Sequence, residues 1–527
     1  MRSWQGILRP KTATVGTRRE HSKGDLVSLR CMGVRQTEFR ALMALAVPII
    51  LINLGTQSLV TVDTIMIGRL SKEALAAAGI GAVWIMGTSM FAMGLLFGID
   101  PIVTQAHGAG DGARCGLALQ RGIVLGLAIS PLLALAWLFT EKALLLNGQD
   151  PAIAAAAHRY TVTQIPSIPF FLVSVALRQY LQGRDIVKPI LVVTILANLA
   201  NASFNQMLIY GGFGIPALGL VGAGIATALT RGFLLIGMLA IVLRWKLHRG
   251  AWIAWSPAAW SRKGLAEVLS YGIPTSLQMG LEIWAFGAAT LMAGALGTVS
   301  IGAHMIAMSL ASNSFMVPLG VSLAVCTRVG NLIGAGRPAQ ARLAGWIALA
   351  SGAGIMALAA LIFLVFRHQL PHLYVQADEH EVLALATAVL PVVAAFQVFD
   401  GFQVVAAGIL RGRGNTRPAA WFNLLGYWVL SLPIGWFLAS RTSLGLAGVW
   451  WGLALGLAIV AVFLLAYIRR CYRSDVLAEG SLSSSASIPA DNAGHTSEAL
   501  AARGNSIVST GSPSSSPSNA PSDPGVS

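Results

Sequence analysis

Asp400 sits in AAFQVFDGFQVVAAGILRGRG, residues 394–414, with no basic residue nearer than Arg411. Burying an ionised carboxylate in such a run is costly, so its presence points to cation binding or proton exchange. The alternative is a carboxyl held neutral or hydrogen-bonded for packing. Gln397, Asp400 and Gln403 recur every three residues and form one polar stripe on an otherwise apolar helix. Gln278 and Glu282, four apart, make a second stripe, and Asn53, Thr56 and Asp63 a third. Asn198, Asn201 and Asn205 share a face, as do Ser309, Ser312 and Asn313. Polar stripes of Asn and Ser also serve as glue between helices, whereas the acid-bearing ones favour a pathway. Asp100 is a further acid at the edge of apolar sequence; Glu267 only begins such a run.

The surrounding elements explain why these acids are unusual. The chain has 527 residues, 55% hydrophobic and 11% charged, far more apolar than a soluble domain. Twelve apolar windows are long enough to cross a bilayer. They lie near 42–62, 76–99, 117–139, 160–181, 187–209, 219–243, 265–290, 301–325, 343–366, 382–409, 418–439 and 444–468. The fold expected is an all-α integral membrane protein of twelve transmembrane helices. The net charge of +15 does not point to nucleic acid, because Lys and Arg follow loop parity. Counted with the adjoining span ends, alternate loops carry sixteen of them, and the other six loops only Arg69, Lys72, Lys142, Arg159, Arg367 and Arg441. Both termini are therefore expected in the cytoplasm.

Internal similarity divides the spans into two sets. AVPI at 46–49 answers GIPT at 272–275, and GAG at 108–110 answers GAG at 334–336. LGLVGAG at 218–224 answers LGLAGVW at 444–450, all at an offset of 226; QGRDIVKP at 182–189 answers RGRGNTRP at 411–418 at 229. Six spans per half predict two lobes related by a pseudo-two-fold along the membrane normal, with a pathway between them. The organisation expected is a basic, disordered tail at 1–41, a six-helix lobe at 42–243 and a basic linker at 244–263. A second lobe follows at 264–468, then a Ser- and Pro-rich disordered tail at 469–527. Met32 is an alternative start to Met1. The acids do not follow the duplication: Asp63 corresponds to Ala289, Glu282 to Thr56, Asp100 to Cys326 and Asp400 to Phe171.

Other chemistry is not indicated. There is no GxxxxGK[ST] loop, HExxH, metal-spaced cluster or Ser/His/Asp set, so neither an enzyme nor a resident cofactor is expected. Cys31, Cys115, Cys326 and Cys471 lie on or near the cytoplasmic side without zinc spacing. His304 reads as a polar contact near the outer end. The Met86, Met90, Met93 and Phe97 stripe reads as packing, and Arg231 either pairs with an acid or tilts toward the cytoplasm.

Several collinear stretches resemble the multidrug and toxic compound extrusion (MATE) transporters, in their NorM-like branch. They are VDTIMIG at 62–68, QAHGAGD at 105–111, GLEIWAF at 280–286, GAHMIAMSLASNSFMVPLG at 302–320, RVGNLIGAG at 328–336 and FDGFQVVAAGILRGRG at 399–414. The resemblance covers roughly residues 40 to 470. It implies export of small organic, often cationic, compounds from a bacterial inner membrane in exchange for protons or sodium. Asp63, Glu282 and Asp400 match the acids to which cation coupling and substrate binding are assigned; sodium, if it is the coupling ion, would be held transiently at Asp400 and Glu282. Gln278, Gln397, Gln403, Asn198, Asn201, Asn205, Asp100 and Asn313 are secondary pathway candidates. Asn201 matches a polar position of the amino-terminal site. Asn205 stands where some relatives carry Asp, which leaves cation binding in that lobe open. Partners expected are the substrate and membrane lipid, with no nucleic acid, and the protein is expected to be a monomer. The alternative is a flippase or exporter of lipid-linked saccharide, which would need a cationic cavity.

Overall fold

Long apolar windows interrupted at prolines and glycines give a chain of helical rods. The computed structural model describes residues 23–212, 214–375 and 379–486. The amino-terminal half runs through α1 (Lys23–Gly68), α2 (Lys72–Leu96), α3 (Asp100–Gly108), α4 (Gly112–Leu138), α5 (Thr140–Leu146), α6 (Pro151–Val162), α7 (Ile168–Gly183), α8 (Lys188–Ile209) and α9 (Gly219–Arg244). The second half holds α10 (Arg262–Ala295), α11 (Thr298–Gly334), α12 (Pro338–Val365), α13 (His380–Gly412), α14 (Arg417–Asn423), α15 (Leu432–Arg441) and α16 (Leu446–Ala486). Among the described residues the only β-pairing is a bridge between Gly212 and Ile215.

Several of these elements are pieces of one rod. A 3₁₀ turn at Phe97–Ile99 joins α2 to α3 just before Pro101, whose missing N–H interrupts the helical ladder. Another turn at Ile165–Ser167, beside Pro166 and Pro169, joins α6 to α7. Between α14 and α15 the backbone opens into a π-helical stretch, Leu424–Ser431. Counted as rods, eleven of the described helices are long and apolar enough to cross a membrane. The twelfth rod is α10, 34 residues long, which carries Arg262, Lys263, Glu267 and Glu282 among its apolar residues. Leu132, Ile236 and Leu291 are each more than two-thirds exposed on the rods, which suits lipid and not water.

Met1–Cys471 form one compact unit holding both halves; Tyr472–Ser527 form a second, whose described part is the last turns of α16. Residues 23–41 are helical, a correction to the disordered tail expected there. Apart from Gly24 and Gly33 that stretch lacks helix breakers, and its three Arg, two Leu and one Glu are good helix formers. Helix α16 likewise runs on through 469–486; RRCYRSDVLAE, 469–479, holds neither Pro nor Gly, and Gly480 alone interrupts the rest. Residues 1–22 and 487–527 of the expected tails lie outside the described residues.

Where the halves meet, small residues let backbones touch. A Cβ on Gly108 would lie 2.0 Å from the Asn331 carbonyl oxygen, and one on Gly334 2.0 Å from that of Gln105. These contacts lie at the end of the rods bearing the basic loops. The side-chain links follow the same rule. Arg328 forms a bidentate pair with Glu38 at 2.8–2.9 Å. Arg114 and Arg121 both reach Glu267, at 2.9 and 3.1 Å. Asn331 donates to Asp185 at 2.9 Å, and Gln105 to the Gly412 carbonyl at 3.1 Å.

Candidate functional site

In the second half, the stripe on α13 is turned inward: Gln397 and Gln403 are fully buried and Asp400 is 4% exposed. Glu282 comes from α10, half-buried, one turn beyond the buried Gln278. Asn423, the last residue of α14, joins the two helices. Its amide nitrogen donates to Glu282 Oε2 at 3.2 Å, and its oxygen accepts from Gln403 Nε2 at 3.0 Å. The π-helical stretch begins immediately after Asn423 and carries Tyr427, fully buried, into the same cluster. Such wide turns are frequent at functional sites because they re-aim side chains on one helix. Phe286 packs edge-on against Tyr427 and Phe396, giving the cluster an apolar wall.

The cluster is incompletely satisfied from within the protein. Ser314 on α11 donates to Gln397 Oε1. Asp400 Oδ1, Gln397 Nε2, Gln403 Oε1 and the Tyr427 hydroxyl are buried without a protein hydrogen-bond partner. Buried polar atoms are nearly always paired, so four together call for a ligand, an ion or water among them. The charged group acting on Asp400 is Glu282, of like sign. Two carboxyl groups, the Gln403 carbonyl and a phenol, without a local counter-charge, form a cluster suited to a cation.

The first half holds a second and better satisfied cluster. Asp63, on α1, accepts from Asn205 Nδ2 and from the Thr227 hydroxyl, the latter at 3.2 Å. Asn205 also reaches Asn201 Oδ1 at 3.3 Å, and Asn201 reaches Thr230 at 3.4 Å. The chain therefore places Glu282 and Asp400 together and Asp63 in a separate cluster, so the three acids do not make one site. Thr227, Thr230, Asn423, Tyr427 and Ser314 were not among the sequence candidates. Asn423 and Tyr427, four apart in an apolar span, were the legible signal; the threonines were not, since hydroxyls on helices commonly bond their own backbone.

Asp100 belongs to neither cluster. It accepts from Gln179 Nε2 on both oxygens, at 2.8 and 2.9 Å, and lies 3.8 Å from Arg411 of the other half. Arg411 in turn lies over the Phe97 ring. Asn198 and Asn313 bond carbonyls of their own helices, those of Thr194 and Ser309, and take no part in either cluster. Arg231 donates to Ser167 at 3.1 Å and lies over the rings of Trp137 and Phe171. His304 is buried against Trp450, 3.1 Å from the Thr290 hydroxyl. Among the described residues, no three His, Cys, Asp or Glu side chains converge to hold a metal ion.

The MatE family model matches residues 48–207 and 274–437, one copy in each half. A probable multidrug resistance protein NorM of Mesorhizobium japonicum is 35% identical over 446 residues, 82% of this chain and 94% of the relative. The corresponding Pseudomonas putida protein is 35% identical over 442 residues, 81% and 93% of the two chains. Among solved structures, the eukaryotic MATE transporter AtDTX14 superposes with a TM-score of 0.77 at 23% identity, covering 84% of this chain and all of that one. A MATE in a bent conformation gives 0.74 at 20% identity, covering 86% and 98%. The chain belongs to the MATE family, NorM-like, with its twelve helices in two lobes.

Proposed function

We propose that this MATE-family efflux transporter expels small organic cations, that protons or sodium drive it, and that Asp400 and Glu282 form the shared site. The observation that carries this reading is the buried, unpartnered Asp400 oxygen beside Glu282, with further unpartnered polar atoms around it. An ionised pair there attracts an organic cation, and a proton or sodium ion removes that attraction. Competition for one site, combined with alternate exposure to the two sides, gives exchange. The relatives' names as multidrug resistance proteins support the substrate class. With cytoplasmic termini, the contacts between the halves at the basic-loop end would close the cytoplasmic side of the pathway. In a bacterium the membrane would be the inner one, and a monomer suffices because both lobes are in one chain.

Flipping of lipid-linked saccharide is the lesser reading. A pyrophosphate needs a cationic cavity, and the clusters here are built on Asp63, Glu282 and Asp400. The fold does not decide the matter. For a structurally similar MOP superfamily transporter from Pyrococcus furiosus, TM-score 0.75 at 20% identity, a binding pocket of reverse polarity is described as suggesting a different function. Substrate class must therefore be read from this chain's own charges. Ethidium efflux from proteoliposomes, with proton and sodium gradients imposed separately, tests the proposal. Gradient-driven efflux in the wild type and its loss in Asp400→Asn support it; flipping of a lipid-linked precursor without dye efflux overturns it.

A further inference from the structure

The connector between the lobes is built in a way that the transport cycle does not require. Residues 252–256 have no regular secondary structure and, with Gly250 and Ala251 at the end of the preceding turn, form a strap laid along the first turns of α4. Gly112 and Gly116, one turn apart on α4, make room for it: a Cβ on Gly112 would lie 1.7 Å from the Gly250 oxygen, and one on Gly116 2.9 Å from that of Ala251. Gln120, a further turn along, donates its amide to the Ile253 and Ala254 carbonyls at 3.1 and 3.0 Å. Tyr180 donates to the Ala251 carbonyl at 2.8 Å. Backbone carbonyls beside a membrane-spanning helix need such internal donors, and here α4 and α7 supply them.

The outward side of the connector has an unusual composition. Four of the chain's 14 tryptophans fall within 245–260, and Trp245, Trp252, Trp255 and Trp260 are 54%, 48%, 53% and 59% exposed. The same connector, residues 244–263, carries Arg244, Lys246, Arg249, Arg262 and Lys263 and no acid. Exposed indoles among basic residues suit the headgroup layer of a bilayer, where the ring is partly out of water and the indole N–H stays solvated. At the strap's start lies a cavity of about 290 Å³, lined by Arg184, Arg249 and His107 with Gly110, Gly112 and Gly250. Arg184 is fixed by Tyr180 and the Leu247 carbonyl, at 2.7 and 2.9 Å, and its Nε is buried without a partner. The nearby Asp111 is turned to cap α4 through the Arg114 N–H, and Asp185 is engaged by Asn331. The cavity is thus lined by two guanidinium groups, those of Arg184 and Arg249, which suit a single oxyanion.

We propose that this cavity and the tryptophan-bearing strap bind the phosphate head group of an anionic phospholipid from the leaflet on the basic-loop side. The lipid would dock the interlobe connector to the bilayer surface while the lobes move. The test uses the full chain, purified in detergent and mixed with dioleoylphosphatidylglycerol, dioleoylphosphatidylcholine or inorganic phosphate. Retained lipid is read by native mass spectrometry and stabilisation by thermal melting. The wild type should retain phosphatidylglycerol over phosphatidylcholine by roughly fivefold or more, a preference that Arg249→Gln should reduce to near parity. Because Arg249 is exposed, that variant keeps its fold; Arg184→Gln, which also loses structural bonds, is read only beside it. Arg337→Gln, on the same side but outside the cavity, should keep the wild-type preference. Equal retention of the two lipids, or an unchanged preference in Arg249→Gln, overturns the site. Stabilisation by inorganic phosphate alone, equal to that by phosphatidylglycerol, overturns the lipid as its source.

Discussion

At the scale of single residues, the contrast between Asp400 and Asp63 sets out the division of labour. Asp63 has partners on both oxygens, whereas Asp400 Oδ1 has none in the protein. Asp400→Asn removes a charge from a buried place while keeping its volume, so expression and thermal stability should be near wild type. Gradient-driven efflux measured on the same preparations should fall by roughly tenfold or more, as expected when an interaction central to the cycle is lost. Asn423→Ala should behave differently. It strips partners from Glu282 and Gln403 at once, and leaving such groups unpaired costs about 1–3 kcal/mol each. A melting temperature well below that of Asp400→Asn is therefore expected, together with weaker transport. Equal melting of the two variants would show that Asn423 is not the connecting group between α10 and α13.

The elements show what the sequence could and could not carry. Periodicity placed Gln397, Asp400 and Gln403 on one face of α13, and the helix confirms that face as buried. The same reasoning could not tell that Asp100 faces Arg411 across the lobes, because pairing between distant segments leaves no local pattern. Nor does a stripe reveal its satisfaction. Asn198 and Asn313 looked like Asn201, yet bond only their own helices. The parts of the expected tails that are helical, 23–41 and 469–486, adjoin long helices, and a polar segment with few breakers extends a neighbouring helix at little cost. The strap's support was also hidden, although its parts are regular: Gly112, Gly116 and Gln120 are each four apart. Gln120→Leu should leave the Ile253 and Ala254 carbonyls without their donor and lower stability by about 1–3 kcal/mol. Thermal melting of the purified protein measures it; an unchanged midpoint would mean the strap is held by packing alone.

For the whole molecule, the links across the seam between the halves are polar where they meet the basic loops. Asp185, in the loop between α7 and α8, is pushed by burial from 3.8 to about 6, against the opposing influence of Arg328 and Asn331. Its neutral form is favoured where the lobes touch. Its contribution to closure is therefore full below the range of a free carboxyl and is lost as pH rises through about 6. Raising the pH across that window should open the basic-loop end, read as a longer spin-label distance between positions 109 and 337. Asp185→Asn should flatten the response, and a flat response already in the wild type would remove Asp185 from the switch. Glu38→Gln, which breaks the bidentate pair with Arg328, should lengthen the same distance at every pH.

The most direct measurement is equilibrium binding of ethidium to the purified protein across a range of pH and sodium concentration, for the wild type and Asp400→Asn. If Asp400 and Glu282 are shared by substrate and driving ion, wild-type affinity falls as the protons or the sodium ions increase, and the Asp400→Asn protein binds weakly with that dependence removed. Wild-type binding indifferent to both ions, or an unaltered dependence in Asp400→Asn, would contradict the shared site.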